Sequence, residues 1–283
     1  MDDPNNLRRT APADLSTARD LAHKAVQLVT KAARANLPAA PDDSHSNLGW
    51  DRRRWAFLTQ PIPGTNGTIA IGFAVASFEL FLVRDGRETA ACKLAGLADA
   101  DAASWLDTEL AKTDLQPISA ATLPYDLPAS VEQISTYTLD GVTEELEVLA
   151  SWYSLADRVL QALVEKHSDV HPGPSPVRCW PHHFDIATYI SLEEGDFETA
   201  RGIGVGMSPG DDTYGEPYFY VNPWPHLSPD TLPELPAPGH WHTQGFVGAI
   251  ATASEVRSLS DIDKELPLFA DAAVAIGRTM LGA

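Results

Sequence analysis

Two pairs of short runs constrain this chain more than any other feature of it. Ile69-Ala-Ile-Gly-Phe73 has a counterpart in Gly202-Ile-Gly-Val-Gly-Met207, and Phe78-Glu-Leu-Phe-Leu-Val83 has one in Glu216-Pro-Tyr-Phe-Tyr-Val221. A tryptophan leads the strand-like run before each pair, Trp50 in the first half and Trp180 in the second, and each half closes with a long helical pattern. Apolar or alternating runs of about four to eight residues bounded by turn residues read as strands, and strands joined by short turns pair antiparallel. The expected fold class is α+β, with two similar halves, each an antiparallel sheet with covering helices. An ancient duplication and two independently arisen meanders both fit the pattern.

Taken in order, residues 1–14 read as a flexible arm, with Pro4, Pro12 and little apolar material. Apolar spacing of three and four predicts a helix over 16–36, capped by Ser16 and ended by Leu37-Pro38. A first strand is expected over 50–62, then a turn cluster of Pro61, Pro63, Gly64, Asn66 and Gly67, then two strands over 68–83 broken near Ala76-Ser77. Asp85-Gly86 is a two-residue hairpin signal leading into a strand over 87–94. Helices follow over 99–112, capped by Asp99, and over 141–166, with 114–140 as a long connection. The Pro- and Gly-rich stretch 167–176 separates an N-terminal half, 15–168, from a C-terminal half, 169–283, within one compact body. Strands over 177–192, 201–208, 218–221 and 240–251 and a helix over 266–281 complete the second half.

The charge balance excludes whole classes of partner. Lys plus Arg number 20 against 39 for Asp plus Glu, a formal net charge of −19, which repels phosphate backbones and anionic membranes. Nucleic-acid binding is not expected. No apolar window approaches the roughly 20 residues that span a bilayer, and the first residues carry no signal-peptide run. Cys92 and Cys179 stand in no metal-ligand spacing, so a reduced, cytoplasmic home is the expectation. Nothing in the chain sets an oligomeric state.

The densest polar and aromatic clustering lies between Pro176 and Pro225. On one strand over 177–192, His183 and Asp185 share a face while His182, Phe184 and Ile186 share the other. A carboxylate two residues from an imidazole suits a base with its orienter, or a ligand pair. His240 and His242 repeat the spacing around Trp241, so His183, Asp185, His240 and His242 are candidate ligands of a divalent metal such as zinc. Paired histidines also satisfy carbonyls or stack in ordinary cores, and that alternative stands beside the first. Gly202, Gly204 and Gly206 leave a bare stripe on one strand face, for a ligand ring or for an aromatic neighbour such as Trp180, Tyr189 or Tyr218. Acidic loops at Glu193, Glu194, Asp196 and Glu198, and at Asp211, Asp212 and Glu216, read as solvated charge. Asp211-Asp212 is the exception, since Tyr214, Tyr218 and Tyr220 around it could raise a carboxyl there into general-acid range, with Asp212 as the catalytic candidate. Arg52, Arg53 and Arg54 form the one basic run. At least one of them is expected to pair internally, and Arg53 is a candidate anion contact.

Trp180-Pro-His-His-Phe-Asp185 together with Glu216-Pro-Tyr-Phe-Tyr220 resembles a bacterial family, a domain of unknown function, marked by a Trp-Pro-His-His-Phe-Asp motif and a following Glu-Pro-x-Phe-Tyr motif. The likeness extends upstream to Thr59-Gln-Pro-Ile-Pro63, Asp85-Gly-Arg-Glu88 and Ala156-Asp-Arg-Val159. His182, His183, Asp185, Glu216, Pro217, Phe219 and Tyr220 match its motifs. His240-Trp-His242 is not among its marks, and the resemblance implies membership without an activity. The functional expectation is a small-molecule or metal site near His182, His183 and Asp185, with Trp180, Glu216, Tyr218, Tyr220 and Arg53 as ligand contacts. It is either a metal-dependent hydrolase, with His183, Asp185 and Asp212 in the chemistry, or a non-catalytic binding or assembly protein in which these residues are structural.

Overall fold

The computed structural model describes residues 4–65, 67–195 and 199–283. Asn66 of the turn cluster, Asp196 and Glu198 of the acidic loop, and the first three residues of the arm lie outside them.

The fold is α+β, with two similar halves built on two antiparallel sheets. The first half opens with α1 (Ser16–Asn36), whose buried Ala18, Leu21, Ala25, Leu28, Val29 and Ala32 form one stripe. Leu37 is extended at φ −109° and ψ 147°, as a residue before proline must be. Ser16 is the first helical residue rather than the cap; Leu15 holds the cap position without a side-chain bond. The strands are β1 (Gly49–Asp51), β2 (Ala56–Leu58), β3 (Ile62–Gly64), β4 (Gly67–Ala74), β5 (Glu79–Arg84) and β6 (Arg87–Lys93), ordered β1-β2-β4-β5-β6 with β3 against β4. Asp85 and Gly86 both take positive φ, 48° and 79°, the twist that suits a two-residue hairpin. The expected strand over 50–62 is therefore two strands and a turn, Arg52–Trp55, followed by β3. Helix α2 (Asp99–Ala111) and the short α3 (Ala129–Glu132) follow; Ala98, not Asp99, is the cap residue of α2.

α4 (Thr143–Lys166), expected to close the first half, is divided by the compact units at Ser151/Trp152 and leads into the second half through β7 (Gly173–Pro174), β8 (Arg178–Trp180), β9 (Asp185–Ser191), β10 (Gly202–Ser208), β11 (Tyr218–Trp224), β12 (His240–His242) and β13 (Gly248–Thr252). The seven-stranded sheet of this half runs β12-β13-β11-β10-β9-β7 and includes β8. α5 (Ala253–Ser258) starts with a capping box in which Thr252 and Glu255 satisfy each other's backbone N–H groups. α6 (Ile262–Leu281) covers the sheet face of Ile203 and Pro223, which approach Gly277 so closely that a Cβ there would lie 3.0 Å from Ile203 Cδ1. The strand expected over 240–251 is split by the loop between His242 and Gly248.

Contacts group the chain into two compact units, one of Asp14–Ser151 with Cys179–Phe184, the other of Trp152–Arg178 and Asp185–Ala283 with the residues before Asp14. The short inserted piece is held by paired backbone bonds, Leu48 N to Cys179 O at 3.0 Å and Cys179 N to Leu48 O at 2.8 Å. The expected loose arm is tied down in its described part: Leu7 is buried, Arg8 donates to Leu259 O, and Arg257 donates to Thr10 O. Among the described residues no helix is long and apolar enough to cross a membrane.

Candidate functional site

The two halves share a strand register, which makes one a control for the other. In the first, Leu58 and Phe81 both face Gly72, and Ala56 faces Ala74. In the second, Ala187 and Tyr220 both face Gly206, and Tyr218 faces Ser208 as Glu79 faces Ala74. Each strand pair is entered through a four-residue turn whose last residue is an aromatic at positive φ, Trp55 at 52° and Phe184 at 59°. Aligned this way, Ala56, Ala74, Phe81 and Val83, a buried apolar cluster, correspond to Asp185, Ser208, Tyr220 and Asn222. The fold is satisfied by apolar side chains at these four positions in one half, so it does not itself demand the polar set in the other.

That polar set lies on the face of the second sheet opposite α6, because β-strand side chains alternate. Tyr220 donates to Asp185 Oδ2, and both residues are half-buried. Tyr218 donates to Asp211 Oδ2 at 2.6 Å. Asp211 also accepts from Thr213 N and Tyr214 N at 2.8 and 3.0 Å, so one carboxylate fixes the loop that presents Tyr214. Burial, with the Asp211 bond second, pushes the Tyr218 phenol up; burial, with Glu255 and Asp211 nearby, does the same to Tyr214. The Tyr214 hydroxyl stands 2.9 Å from His242 Nδ1 and 3.3 Å from His240 Nε2, and His240 Nδ1 lies 3.0 Å from Glu255 Oε1.

The glycine stripe is partly covered. A Cβ on Gly202 would meet the Tyr189 ring at 2.3 Å, and one on Gly206 the Tyr220 hydroxyl at 2.5 Å. Of the expected partners Tyr189 is present, while Tyr220 takes the place suggested for Trp180 or Tyr218. Gly204 between them meets nothing closer than 3.8 Å, leaving a bare floor flanked by two tyrosine rings. Beside it Asn222 Oδ1 is buried and, among the described residues, has no hydrogen-bond partner.

The Trp-Pro-His-His-Phe-Asp run is placed differently from its expected strand. Pro181 to Phe184 form a turn and β9 begins only at Asp185, so His183 and Asp185 do not share a strand face. His183 is exposed. The turn is held from α1: the buried His23 Nε2–H and Gln27 Nε2 both donate to Pro181 O, at 2.8 and 2.9 Å, and Tyr125 donates to Gln27 Oε1 at 2.8 Å. Phe184 is fully buried and stacks on His23 with centroids 5.0 Å apart and 8° between planes. A left-handed residue other than glycine costs about 1–2 kcal/mol, and burying a phenylalanine returns about 1.5–3 kcal/mol, so packing carries the turn. Burial lowers His23 to about 4, and burial with the neighbouring His183 lowers His182 to about 4. Trp180 meets His182 edge-on at 6.2 Å.

Other candidates resolve singly. Asp212 is exposed, and it is Asp211 that meets the aromatic shell. Glu216 accepts from Ser254 N and Oγ at 2.9 and 2.6 Å, a role at the start of α5. Arg54 pairs with Asp51 at 2.8 Å, whereas Arg53 is exposed. Among the described residues no group of three or more His, Cys, Asp or Glu side chains could hold a metal ion; the four-ligand set His183, Asp185, His240 and His242 is not assembled. Sequence reasoning passed over His23, Gln27, Tyr125 and Glu255, and took Tyr214 only as part of the aromatic surroundings of Asp211-Asp212. Only Glu255 carried a signal, as the last residue of Thr-Ala-Ser-Glu, a capping-box pattern. No family model matches the sequence, and neither a curated protein nor a solved structure matches it.

Proposed function

We propose that this chain is a cytoplasmic small-molecule-binding protein whose ligand lies on the polar face of the C-terminal sheet, over Gly204. The observation that carries the reading is the exchange, at fixed register, of Ala56, Ala74, Phe81 and Val83 for Asp185, Ser208, Tyr220 and Asn222. A buried polar group costs stability unless it is hydrogen-bonded, so polar residues where apolar ones serve the same fold are kept for another purpose. Tyr189 and Tyr220 offer ring faces, Asn222 an acceptor and Asp185 a carboxylate. That combination suits a planar ligand carrying an N–H or amino donor.

The test transplants the first half's residues into the second: Asp185→Ala, Ser208→Ala and Tyr220→Phe in one variant. Removing both partners of a hydrogen bond is close to neutral, whereas removing one leaves a penalty of about 1–3 kcal/mol. The double variant Asp185→Ala, Tyr220→Phe is therefore expected to unfold within about 1 kcal/mol of the parent, with Tyr220→Phe alone less stable than it, while Ser208→Ala in the triple variant adds about 1–3 kcal/mol for the buried Gly210 N–H that Ser208 Oγ accepts at 3.2 Å. Saturation-transfer NMR with nicotinamide, adenine and indole as probes is expected to show contact with the parent and none with the triple variant. A double variant that loses several kcal/mol would make the polar set structural.

A further inference from the structure

Tyr214, His240 and His242 present a mismatch of hydrogens. The Gln244 carbonyl can only accept, so the 2.6 Å contact from His242 Nε2 places that ring's hydrogen on Nε2 and leaves a lone pair on Nδ1. The Glu255 carboxylate fixes the His240 hydrogen on Nδ1 in the same way and leaves a lone pair on Nε2. Both lone pairs face the Tyr214 oxygen, at 2.9 and 3.3 Å. A phenol has one hydrogen and can meet only one of them. The cluster is one positive centre short.

The surroundings indicate what that centre is. Imidazoles bound to metals hold their far N–H on a carboxylate or a backbone carbonyl, which fixes tautomer and ring plane; His240 has the first kind of partner and His242 the second. Phe246 stacks on His242 at 4.3 Å and 26° and fixes that ring further. Ligands about 2.0–2.1 Å from a tetrahedral zinc ion lie about 3.3 Å from one another, and the two nitrogen-to-oxygen distances fall near that value. We propose that Tyr214, His240 and His242 bind one divalent transition-metal ion of the zinc class, with Tyr214 as the third donor. On binding, the Tyr214 O–H bond breaks, the proton goes to solvent, and the phenolate pair forms the metal–oxygen bond. A fourth position stays open for water or a substrate oxygen. The inference stands on these three side chains and does not rest on the ligand reading at Asp185 and Tyr220.

The experiment is a calorimetric titration of zinc chloride into protein first stripped with chelator, repeated on His242→Ala, Tyr214→Phe and Glu255→Gln. One saturable site per chain is expected, lost in His242→Ala and weakened about 10–100-fold in Glu255→Gln, the loss typical of an outer partner. Copper(II) in place of zinc is expected to give a phenolate-to-metal charge-transfer band that Tyr214→Phe abolishes. Circular dichroism confirms that each variant is folded, and His240→Gln replaces any that is not. No saturable zinc binding, or binding unchanged in both His242→Ala and Tyr214→Phe, overturns the proposal. Side-chain nitrogen spectra showing both ring nitrogens of either histidine protonated, with no metal taken up, overturn it as well, by making the missing centre a proton.

Discussion

His23 does its work by staying neutral. Its hydrogen is committed to the Pro181 carbonyl and its ring to Phe184, and burial holds its titration near about 4 against an ordinary 6.5. The sign of the linkage follows. The unfolded chain takes up a proton near pH 6.5 that the folded chain refuses until about 4, so the stability this residue gives is complete above 6.5 and is lost as pH falls toward 4. The interval of 6.5 minus 4 corresponds to about 3 kcal/mol at full protonation of the unfolded state. His182 shifts in the same direction, so the two act in one window. Urea unfolding of the parent and of His23→Gln at several pH values between about 7 and 4 is expected to show a shallower acid loss in the variant, by about one proton's worth. Identical slopes would mean that His23 is already charged in the folded protein. Across from it, Tyr125 and Gln27 extend the same chain of donors, which is why the Pro-His-His turn keeps its shape.

At the scale of elements, the paired sheets use glycine in two ways. Gly72 lies under Phe81 and Gly202 under Tyr189, and a Cβ at either would sit 2.3 Å from the ring. Gly204 has nothing within 3.8 Å. Overpacking a core costs about 1–3 kcal/mol, while alanine for glycine in an unobstructed strand returns about 0.5–1 kcal/mol. Gly72→Ala and Gly202→Ala are therefore expected to lower the melting temperature and Gly204→Ala to hold or raise it. Equal losses at all three would remove the distinction between covered and bare floor. These elements also show what the sequence could tell. The helix over 16–36 was legible to within one residue at its start, and its end was legible because its apolar period runs unbroken to a proline. The Asp85-Gly86 hairpin was legible because few residues accept two successive positive φ values. The run 177–192 was not, since Phe184 takes a glycine-like conformation with no glycine to announce it, and the turn it closes is capped by His23, 158 positions upstream. Tyr214 was legible as a neighbour of Asp211 but not of His240 and His242, for a related reason: those histidines come from β12, brought alongside by pairing with β13.

For the whole molecule, the decisive quantity is the imbalance of 39 acidic to 20 basic residues. Two effects of salt compete. Screening weakens the ion pairs, but those are mostly at the surface, such as Lys93 with Glu79 and Lys166 with Asp271, where side chains of the lysines are 64% and 60% exposed. Such pairs contribute about 0–1 kcal/mol each. Screening also weakens the repulsion among 19 uncompensated negative charges, which folding concentrates and unfolding disperses. The Debye length falls from about 30 Å at 0.01 M to about 8 Å at 0.15 M, so most of the relief comes at low ionic strength. Raising sodium chloride from about 10 to about 150 mM at neutral pH is thus expected to raise the melting temperature by a few degrees, with little further change above that. A monotonic fall would show that ion pairs outweigh repulsion. In that case the acidic excess would have to be distributed so that each carboxylate lies nearer a cation than another anion, which 20 basic residues cannot supply to 39 acidic ones unless most of them serve two partners at once.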